Sequence, residues 1–237
     1  MILVLASQRD PGAAALVAGW AGARLLTPAD LSVPGWVLVT GPTGPDDPPG
    51  RGVADGVPFR TDEVTRVVSL LGRVDAAELS WIAAEHRSYV AAEMTAVLGH
   101  WLATLGGRCV VAPSHVSLAG PSLPTAAWAD AAGLEVGDTD RPGAAVTVVG
   151  TDVFVVAGDG PPPGPAARRG LVAMAAAHGA PLLSALVVTG GGGRREALGA
   201  VLPAPVVRTA AVRDAVRRLV DGPAVGRTTG AGERVAS

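Results

Sequence analysis

Two residue types, lysine and asparagine, are absent from this chain of 237 amino acids. All 19 basic residues are therefore arginine. Without lysine there is no amine to form a Schiff base, to act as a general base or to hold a phosphate as a compact point charge. Without asparagine there is no asparagine amide to ligate a metal ion. These absences exclude several common kinds of phosphate-handling and covalent site.

Cysteine is almost absent too, since Cys109 is the only one. No disulfide can form within the chain, which is typical of a reducing compartment, and we expect a cytoplasmic protein. The apolar run at residues 1–6 is too short for a signal peptide and lacks its basic flank. Longer apolar windows are interrupted by Gly, Pro or Arg before they reach about 18 residues, so we expect no membrane span.

Charge of either sign is scarce. Charged residues make up 17% of the chain, the formal net charge is -2, and hydrophobic residues make up 49%. No face is expected to be strongly basic, so we expect no nucleic-acid partner. The hydrophobic fraction is too high for a disordered chain, and the length suits one large or two small domains with a real core.

The first part of the chain does contain a strand–helix–strand rhythm. Apolar runs at residues 1–6, 23–26 and 36–40 predict buried strands. The pattern at residues 13–23 predicts a helix between the first two of these strands. This order is typical of an α/β unit with right-handed crossovers.

Three further patterns belong to the first half. Residues 57–60 and 64–71 predict a hairpin at the sheet edge, with a helical turn as the alternative for the second run. Residues 108–112 predict another strand, which Pro113 ends. After a loop rich in Ser, Gly and Pro, residues 125–133 predict a short helix.

The second half follows a boundary at residues 137–143 and has a pattern of its own. The predicted elements are a hairpin at residues 144–157, a helix at 166–178, a second hairpin at 182–202 around four glycines at 190–193, a last helix at 210–220 and a disordered tail at 222–237.

The longest clean helical pattern runs from Ser88, a suitable N-cap, to the stop signal at Gly106 and Gly107. Apolar side chains recur in it at steps of three and four, which predicts one buried stripe. The stripe consists of Val90, Met94, Val97, Leu98, Trp101, Leu102 and Leu105. The other face carries Glu93, Thr95, His100 and Thr104. Ahead of this helix, Asp75-Ala-Ala-Glu78 indicates an N-terminal capping pattern for a shorter segment.

Side chains capable of chemistry gather where these two helical segments meet. Glu85, His86 and Arg87 are consecutive, and Tyr89 and Glu93 follow closely. A histidine between Glu and Arg favours acid–base work, with Glu85, His86 and Glu93 as catalytic candidates. It also favours an anion site to which Arg87 and Tyr89 contribute. A solvated corner is the alternative, because charged clusters are common at helix ends.

A second set of candidates lies in the loop after residues 108–112. His115 and Ser117 are binding candidates there, because α/β proteins place functional groups in loops beyond strand ends. The chain has four histidines, none spaced for a metal site or paired with cysteine. We therefore expect neither a metal ion nor a cofactor. No G-x-G-x-x-G, P-loop or G-x-S-x-G motif occurs.

Four features follow one another in a characteristic order. They are the opening α/β unit, the predicted hairpin at 57–71, the run Ala84-Glu-His-Arg-Ser-Tyr-Val-Ala-Ala-Glu93 leading into the long helix, and Cys109-Val-Val-Ala-Pro113 followed by a loop and by Trp128-Ala-Asp-Ala-Ala-Gly-Leu134. This order resembles the ATP-grasp ligases that mature ribosomally made peptides, the microviridin-type graspetide group and its actinobacterial relatives. The resemblance covers about residues 1–136. It implies an α/β fold in which a Rossmann-like preATP-grasp domain, residues 1–136, precedes a shortened ATP-grasp-like α+β lobe, residues 144–221.

The second half resembles a shortened catalytic lobe of this family, with three departures. The resemblance implies a metal-binding Asp on a late strand and Glu-x-Asn before a Pro on the closing strand, whereas residues 184–188 and 200–203 read S-A-L-V-V and A-V-L-P. The lysines that hold ATP phosphates are missing, and residues 136–144 leave no room for the nucleotide-binding subdomain. Carboxylate-held metal and fixed cations neutralise a transferring phosphate. The fold is therefore expected without the ligase activity.

The leading hypothesis is a catalytically degenerate ATP-grasp-like protein that binds a precursor peptide or a partner enzyme in a ribosomal-peptide or natural-product pathway, with homodimer formation as an option. We do not expect an active ATP-dependent ligase. The alternative is a metal-free enzyme that reuses the scaffold, which requires the Glu, His and Arg candidates and His115 to converge on one pocket. A small-molecule sensor or structural module is a third hypothesis, and the sequence alone does not discriminate the three.

Overall fold

The computed structural model describes residues 1–39, 48–189 and 196–222. The strands are β1 (Ile2–Leu5), β2 (Ala23–Leu26), β3 (Arg51–Ala54), β4 (Val57–Arg60), β5 (Arg66–Ser69), β6 (Glu135–Val136), β7 (Gly143–Val149), β8 (Asp152–Gly158), β9 (Leu182–Thr189) and β10 (Glu196–Val201). The α-helices are α1 (Pro11–Val17), α2 (Arg87–Leu105), α3 (Thr125–Ala132), α4 (Pro165–Ala177) and α5 (Ala210–Asp221). None of the helices in these described ranges has both the length and the hydrophobicity needed to cross a bilayer.

The opening α/β unit forms a small parallel sheet in the order β2-β1-β5. Leu5 at the end of β1 is in register with Leu26 of β2 and with Ser69 of β5, so the carboxyl ends of the three strands lie at one edge. Both faces of β1 are buried, as in most parallel sheets. The predicted strands at residues 1–6 and 23–26 are confirmed.

Helix α1 begins earlier and ends sooner than its apolar pattern predicts. Asp10 caps it by accepting the Gly12 N–H at 2.8 Å, and Pro11 occupies the first helical turn. Beyond Val17 the chain turns at Gly19 and Gly22, both with positive φ, before it enters β2. The predicted end at residue 23 is therefore wrong.

The second half forms a five-stranded sheet in the order β6-β10-β9-β7-β8. Its neighbours are antiparallel, except that β6 runs parallel to β10. Both predicted hairpins, β7–β8 and β9–β10, are confirmed as antiparallel pairs. The glycine tip at residues 190–193 and the tail at 223–237 lie outside the described residues.

The predicted hairpin between residues 57–60 and 64–71 is wrong. β4 pairs antiparallel with β3, whereas β5 pairs parallel with β1. A single 3-10 turn at Thr61–Glu63 separates β4 from β5, and the Glu63 carboxylate accepts the Arg60 N–H at 3.3 Å. This turn redirects the chain into the parallel sheet, where the β-branched run of β5 is buried.

Two other segments that the sequence predicts as strands form only single β-bridges. Residues 36–39 contribute one antiparallel bridge from Val37 to Arg51, and residue 40 lies outside the described residues. Residues 108–112 contribute one parallel bridge from Cys109 to Val67. A 3-10 turn at Gly106–Arg108 and Pro113 leave little extended chain between them.

Helix α2 begins at Arg87, and the cap expected from Ser88 is not formed, since its N-cap is His86 without a side-chain bond. The C-terminal part of the predicted stripe is buried, with Leu98, Trp101, Leu102 and Leu105 at 4% exposure or less. Val97, in contrast, is 46% exposed. The predicted stripe is therefore only partly buried. The side of the helix that also carries Ala91 faces the core.

The small parallel sheet lies between two hydrophobic clusters. Leu3, Leu5 and Val67 pack with the buried side of α2. Val4 and Val68, on the opposite face, pack in a larger cluster with residues of the second half. Those residues include Val146, Val148, Leu171, Met174, Leu183, Val212 and Val216. The two halves of the chain thus share one core along this sheet face.

Candidate functional site

A cleft opens at the carboxyl edge of the parallel sheet, where ligands bind in many open α/β folds. We call it the edge cleft. Its inner lobe has a volume of about 630 Å³ and its outer lobe about 820 Å³. The two lobes share Arg73, Asp75, Val116 and Ser117.

The inner lobe lies where the two halves of the chain meet. One wall is formed by Ser7, which follows β1, and by residues 70–73, which follow β5. The other wall is formed by Leu183 and residues 201–205. A Cβ atom at Gly72 would overlap the carbonyl oxygen of Pro203, so the walls touch there.

Glu78 is the residue of the inner lobe that the sequence analysis missed. Its spacing from Asp75 predicts only a capping role. In the structure Asp75 does the capping, because its Oδ1 accepts the Ala77 N–H at 2.8 Å. Glu78 turns inward instead, lines the inner lobe and is only 4% exposed.

Hydrogen bonds fix Glu78 to the loop that follows β1. Its Oε2 accepts the backbone N–H of Gln8 at 3.2 Å, and the Gln8 side-chain amide donates to the Glu78 carbonyl at 3.1 Å. Arg9 donates to the carbonyl of Ala77 at 2.7 Å. The carboxylate is therefore held in one position at the end of the sheet.

The outer lobe brings His115 and Ser117 together with His100. Leu118 donates its N–H to the carbonyl of Gly72 at 2.8 Å, which anchors the loop that carries His115 and Ser117. The floor of the lobe consists of small side chains of α2, namely Ser88, Ala91, Ala92, Thr95, Ala96, Gly99 and Ala103. Both predicted binding residues, His115 and Ser117, line this lobe, and their role in binding stays a prediction.

Thr95 joins the helix to the sheet edge. Its hydroxyl donates to the Ala91 carbonyl at 2.8 Å and accepts the Val74 N–H at 3.0 Å. The polar face predicted for α2 therefore faces the outer lobe in part, since both Thr95 and His100 line it.

The remaining candidates lie elsewhere. Glu85 and His86 are exposed in the turn before α2. The Arg87 guanidinium donates to the carbonyls of Ile82 at 2.8 Å and Ser80 at 3.1 Å, so it fastens the preceding turn. Tyr89 and Glu93 line a separate apolar groove of about 240 Å³.

This separation follows from the geometry of α2. Positions 89, 93 and 97 project from one side of the helix, and positions 88, 92, 95 and 99 project from another. The structure consequently does not bring Glu85, His86 and Glu93 into the cavity that holds His115. The convergence that the acid–base hypothesis requires is not met.

A closed polar network lies on the late strand where the resemblance implies a metal-binding carboxylate. The hydroxyls of Thr147 and Ser184 are 2.7 Å apart, and both residues are completely buried. Thr147 donates to the Val206 carbonyl at 2.8 Å, and Ser184 accepts the Val206 N–H at 2.9 Å. The segment before α5 is thereby fastened over the sheet and covers Ser184.

Side chains suited to a metal ion are dispersed in the part of the chain that the structure describes. No group of three His, Cys, Asp or Glu residues in it could hold one. Cys109 is buried, with its sulfur 3.4 Å from the Leu102 carbonyl oxygen.

The fold is similar to that of several solved ATP-grasp ligases and macrocyclases. Macrocyclase MdnB from Microcystis aeruginosa MRC aligns with a TM-score of 0.64 and 13% identity, over 92% of this chain and 98% of that one. Macrocyclase MdnC from the same organism, bound with precursor peptide MdnA, aligns with a TM-score of 0.63 and 10% identity, over 93% and 99%.

A third solved structure gives the same result. The RiPP-associated ATP-grasp ligase of Chryseobacterium gregarium, in complex with ADP and a leader and core peptide, aligns with a TM-score of 0.62 and 8% identity, over 94% and 97%. Neither a protein-family model nor a curated protein matches the sequence. At these identities the likeness establishes the fold, and the expected ATP-grasp-like α/β architecture is confirmed.

Proposed function

We propose that the chain is a catalytically degenerate ATP-grasp-like protein that binds a peptide in the biosynthesis of a ribosomally made natural product. The fold supports this proposal. MdnC is seen with its precursor peptide, the Chryseobacterium gregarium ligase with a leader and core peptide, and PsnB with a minimal precursor, Mg and ADP.

The observation that carries the degenerate part of the proposal is the Thr147–Ser184–Val206 network. A hydroxyl at Ser184 cannot supply the charge with which a carboxylate holds a divalent cation. Ser184 is completely buried, and its hydroxyl is bonded to Thr147 and to the Val206 N–H, so it is not exposed to a ligand. The absence of lysine from the chain removes the usual phosphate-binding point charge as well.

The edge cleft supports the peptide-binding part. Its two lobes, of about 820 and 630 Å³, meet along residues that line both. Hydroxyls of Ser7, Ser117 and Ser122 line it beside apolar side chains such as Leu70 and Leu183. Peptide sites commonly combine apolar contacts with a few fixed polar groups in this way.

A partner enzyme, rather than a precursor peptide, is the other occupant the proposal allows. The division into residues 1–136 and 144–221, the shortening of the second lobe, the cytoplasmic location and the homodimer also remain predictions. The Glu/His/Arg enzyme is not favoured, because its residues do not converge.

The test uses peptides enriched on the purified chain from a random display library. Fluorescence anisotropy then compares their affinity for the wild-type chain, for Val116→Trp and for Val97→Trp. Both valines are exposed, at 53% and 46%, so both variants should fold. Val116 lines the outer and inner lobes, whereas Val97 lines the separate groove.

We expect Val116→Trp to weaken binding about tenfold or more, since an indole would fill the shared part of the cleft. Val97→Trp should leave the affinity unchanged. Peptides that respond to Val97→Trp alone, or a library that yields no binder, would reject the edge cleft as a peptide site.

A further inference from the structure

Glu78 is a buried carboxylate that has few hydrogen-bond donors to compensate for its burial. An ionised carboxylate loses hydration when it is buried, and proteins compensate with a cation or with several hydrogen-bond donors. Glu78 is 4% exposed. Within the described ranges its carboxylate accepts one hydrogen bond, from the Gln8 N–H to Oε2. One backbone donor is a small compensation for a buried charge.

The second carboxylate oxygen, Oε1, faces the cavity. No residue of the described chain donates a hydrogen bond to it or forms an ion pair with Glu78. In the described ranges, His178 Nε2 is the one solvent-inaccessible side-chain polar atom without a hydrogen-bond partner. Oε1 also has no partner, so it must be accessible to solvent. Oε1 therefore opens into the inner lobe, which Glu78 lines.

The surroundings of Oε1 favour a cationic ligand. The ionisable residues that line the inner lobe are Arg73, Asp75 and Glu78, so acidic groups outnumber basic ones. Arg73 and Asp75 are exposed at the rim. Arg9 lies nearby, but its guanidinium donates to the Ala77 carbonyl. Among the residues that the structure describes, none provides a counter-ion for the fixed Glu78 carboxylate.

Apolar surface adjoins the carboxylate. Leu70, Leu71, Trp128 and Leu183 line the same lobe. A long side chain with an apolar stem and a charged end fits such a combination, because the stem contacts the apolar wall while the head reaches the carboxylate. Arginine and lysine side chains have this form, and arginine can donate two parallel hydrogen bonds to one carboxylate.

We infer that the inner lobe binds a basic side chain of a peptide through Glu78, with arginine as the preferred residue. This inference rests on the proposed peptide-binding function and specifies its ligand class. Glu78 holds the guanidinium, and Ser7 and Ser122 supply neutral polar groups beside it.

The test is a titration of the 15N-labelled full chain, followed by NMR, with the capped tripeptide acetyl-Gly-Arg-Gly-amide. The matched probe is the same peptide with citrulline, which keeps the shape and loses the positive charge. NMR detects weak binding and reports its location. We expect saturable shifts of the amide signals of Gln8, Arg73 and Glu78 with the arginine peptide, and about tenfold weaker binding of the citrulline peptide.

Three variants test whether the preference for arginine depends on charge. Glu78→Gln retains an oxygen that accepts the Gln8 N–H, so the loop stays fastened, but it should abolish the preference for arginine over citrulline. Glu93→Gln, an exposed change in the separate groove, should leave that preference intact. Arg73→Gln should tighten arginine binding, since it removes the basic group at the rim.

Equal binding of both peptides by the wild-type chain would overturn the inference, and so would an unchanged preference in Glu78→Gln. If library peptides lacking basic residues still bind and respond to Val116→Trp, the proposed peptide-binding function stands while the role of Glu78 fails. If peptides neither respond to Val116→Trp nor show a preference for arginine, both the peptide-binding function and the role of Glu78 are rejected.

Discussion

At the scale of single residues, two glycines on the cleft walls differ in what a methyl group would meet. A Cβ atom at Gly72 would overlap the Pro203 carbonyl oxygen, which belongs to the opposite half of the chain. A Cβ atom at Gly99, inside α2, would meet Leu118 Cδ2 at 3.6 Å, an ordinary contact.

Gly72→Ala should therefore lower the free energy of unfolding by about 1–3 kcal/mol, because backbone on both sides must shift. Gly99→Ala is the matched control and should raise it by about 0.5–1 kcal/mol, since alanine is the better helix former. Urea unfolding measures both values. A Gly72→Ala chain as stable as the wild type would mean that the two walls do not meet at this point.

Ser184 gives the second prediction at this scale. Ser184→Ala leaves the Val206 N–H buried without an acceptor, and we expect a loss of about 1–3 kcal/mol in the free energy of unfolding. Ser80→Ala, at an exposed position, should change it by less than about 0.5 kcal/mol. Equal unfolding midpoints for the two variants would show that the network does not fasten the segment before α5.

At the scale of elements, Arg87 acts on the turn before α2. Its bonds to the carbonyls of Ile82 and Ser80 join the first turn of the helix to the preceding chain. We expect Arg87→Ala to speed amide hydrogen exchange at residues 80–88 while the exchange of the buried part of α2 stays slow.

His86→Ala is the control for this experiment, because His86 is exposed and makes no side-chain cap. It should leave exchange in the turn unchanged. If Arg87→Ala exchanges like the wild type, the guanidinium has no structural role, and the anion-binding interpretation of Arg87 becomes the better one.

The local sequence pattern predicted the strands and helices better than it predicted which strands pair with each other. The apolar run at residues 64–71 correctly marks a strand, but nothing in it tells whether β5 pairs with β4 beside it or with β1 far away in sequence. The short turn at Thr61–Glu63 decides this, and its N-cap residue is Arg60, a residue type that gives no capping signal.

The sequence predicted some of the residues that line the edge cleft but not Glu78. The sequence predicts His115 and Ser117 as binding residues because loops beyond strand ends often carry function. The structure places both on the edge cleft, and their role stays a prediction. Glu78 was not found, because a carboxylate three positions after Asp75 has the spacing of a capping box. Its inward orientation depends on Gln8, a long-range contact that periodicity does not contain.

At the scale of the whole molecule, the small parallel sheet organises both halves of the chain. One face packs on α2 and the other on the second half, so the carboxyl edge of the sheet necessarily opens between them. The ATP-grasp-like fold thus keeps a cleft at this edge. On the late strand, where the resemblance implies a metal ligand, it has a closed hydroxyl network instead.

The central claim is that this fold no longer holds nucleotide, and titration calorimetry with ATP and Mg²⁺ tests it most directly. PsnB, which has been seen with Mg and ADP, serves as the positive control in the same buffer. We predict only the heat of dilution for this chain and a saturable isotherm for PsnB. A saturable, Mg²⁺-dependent isotherm for this chain would contradict the account.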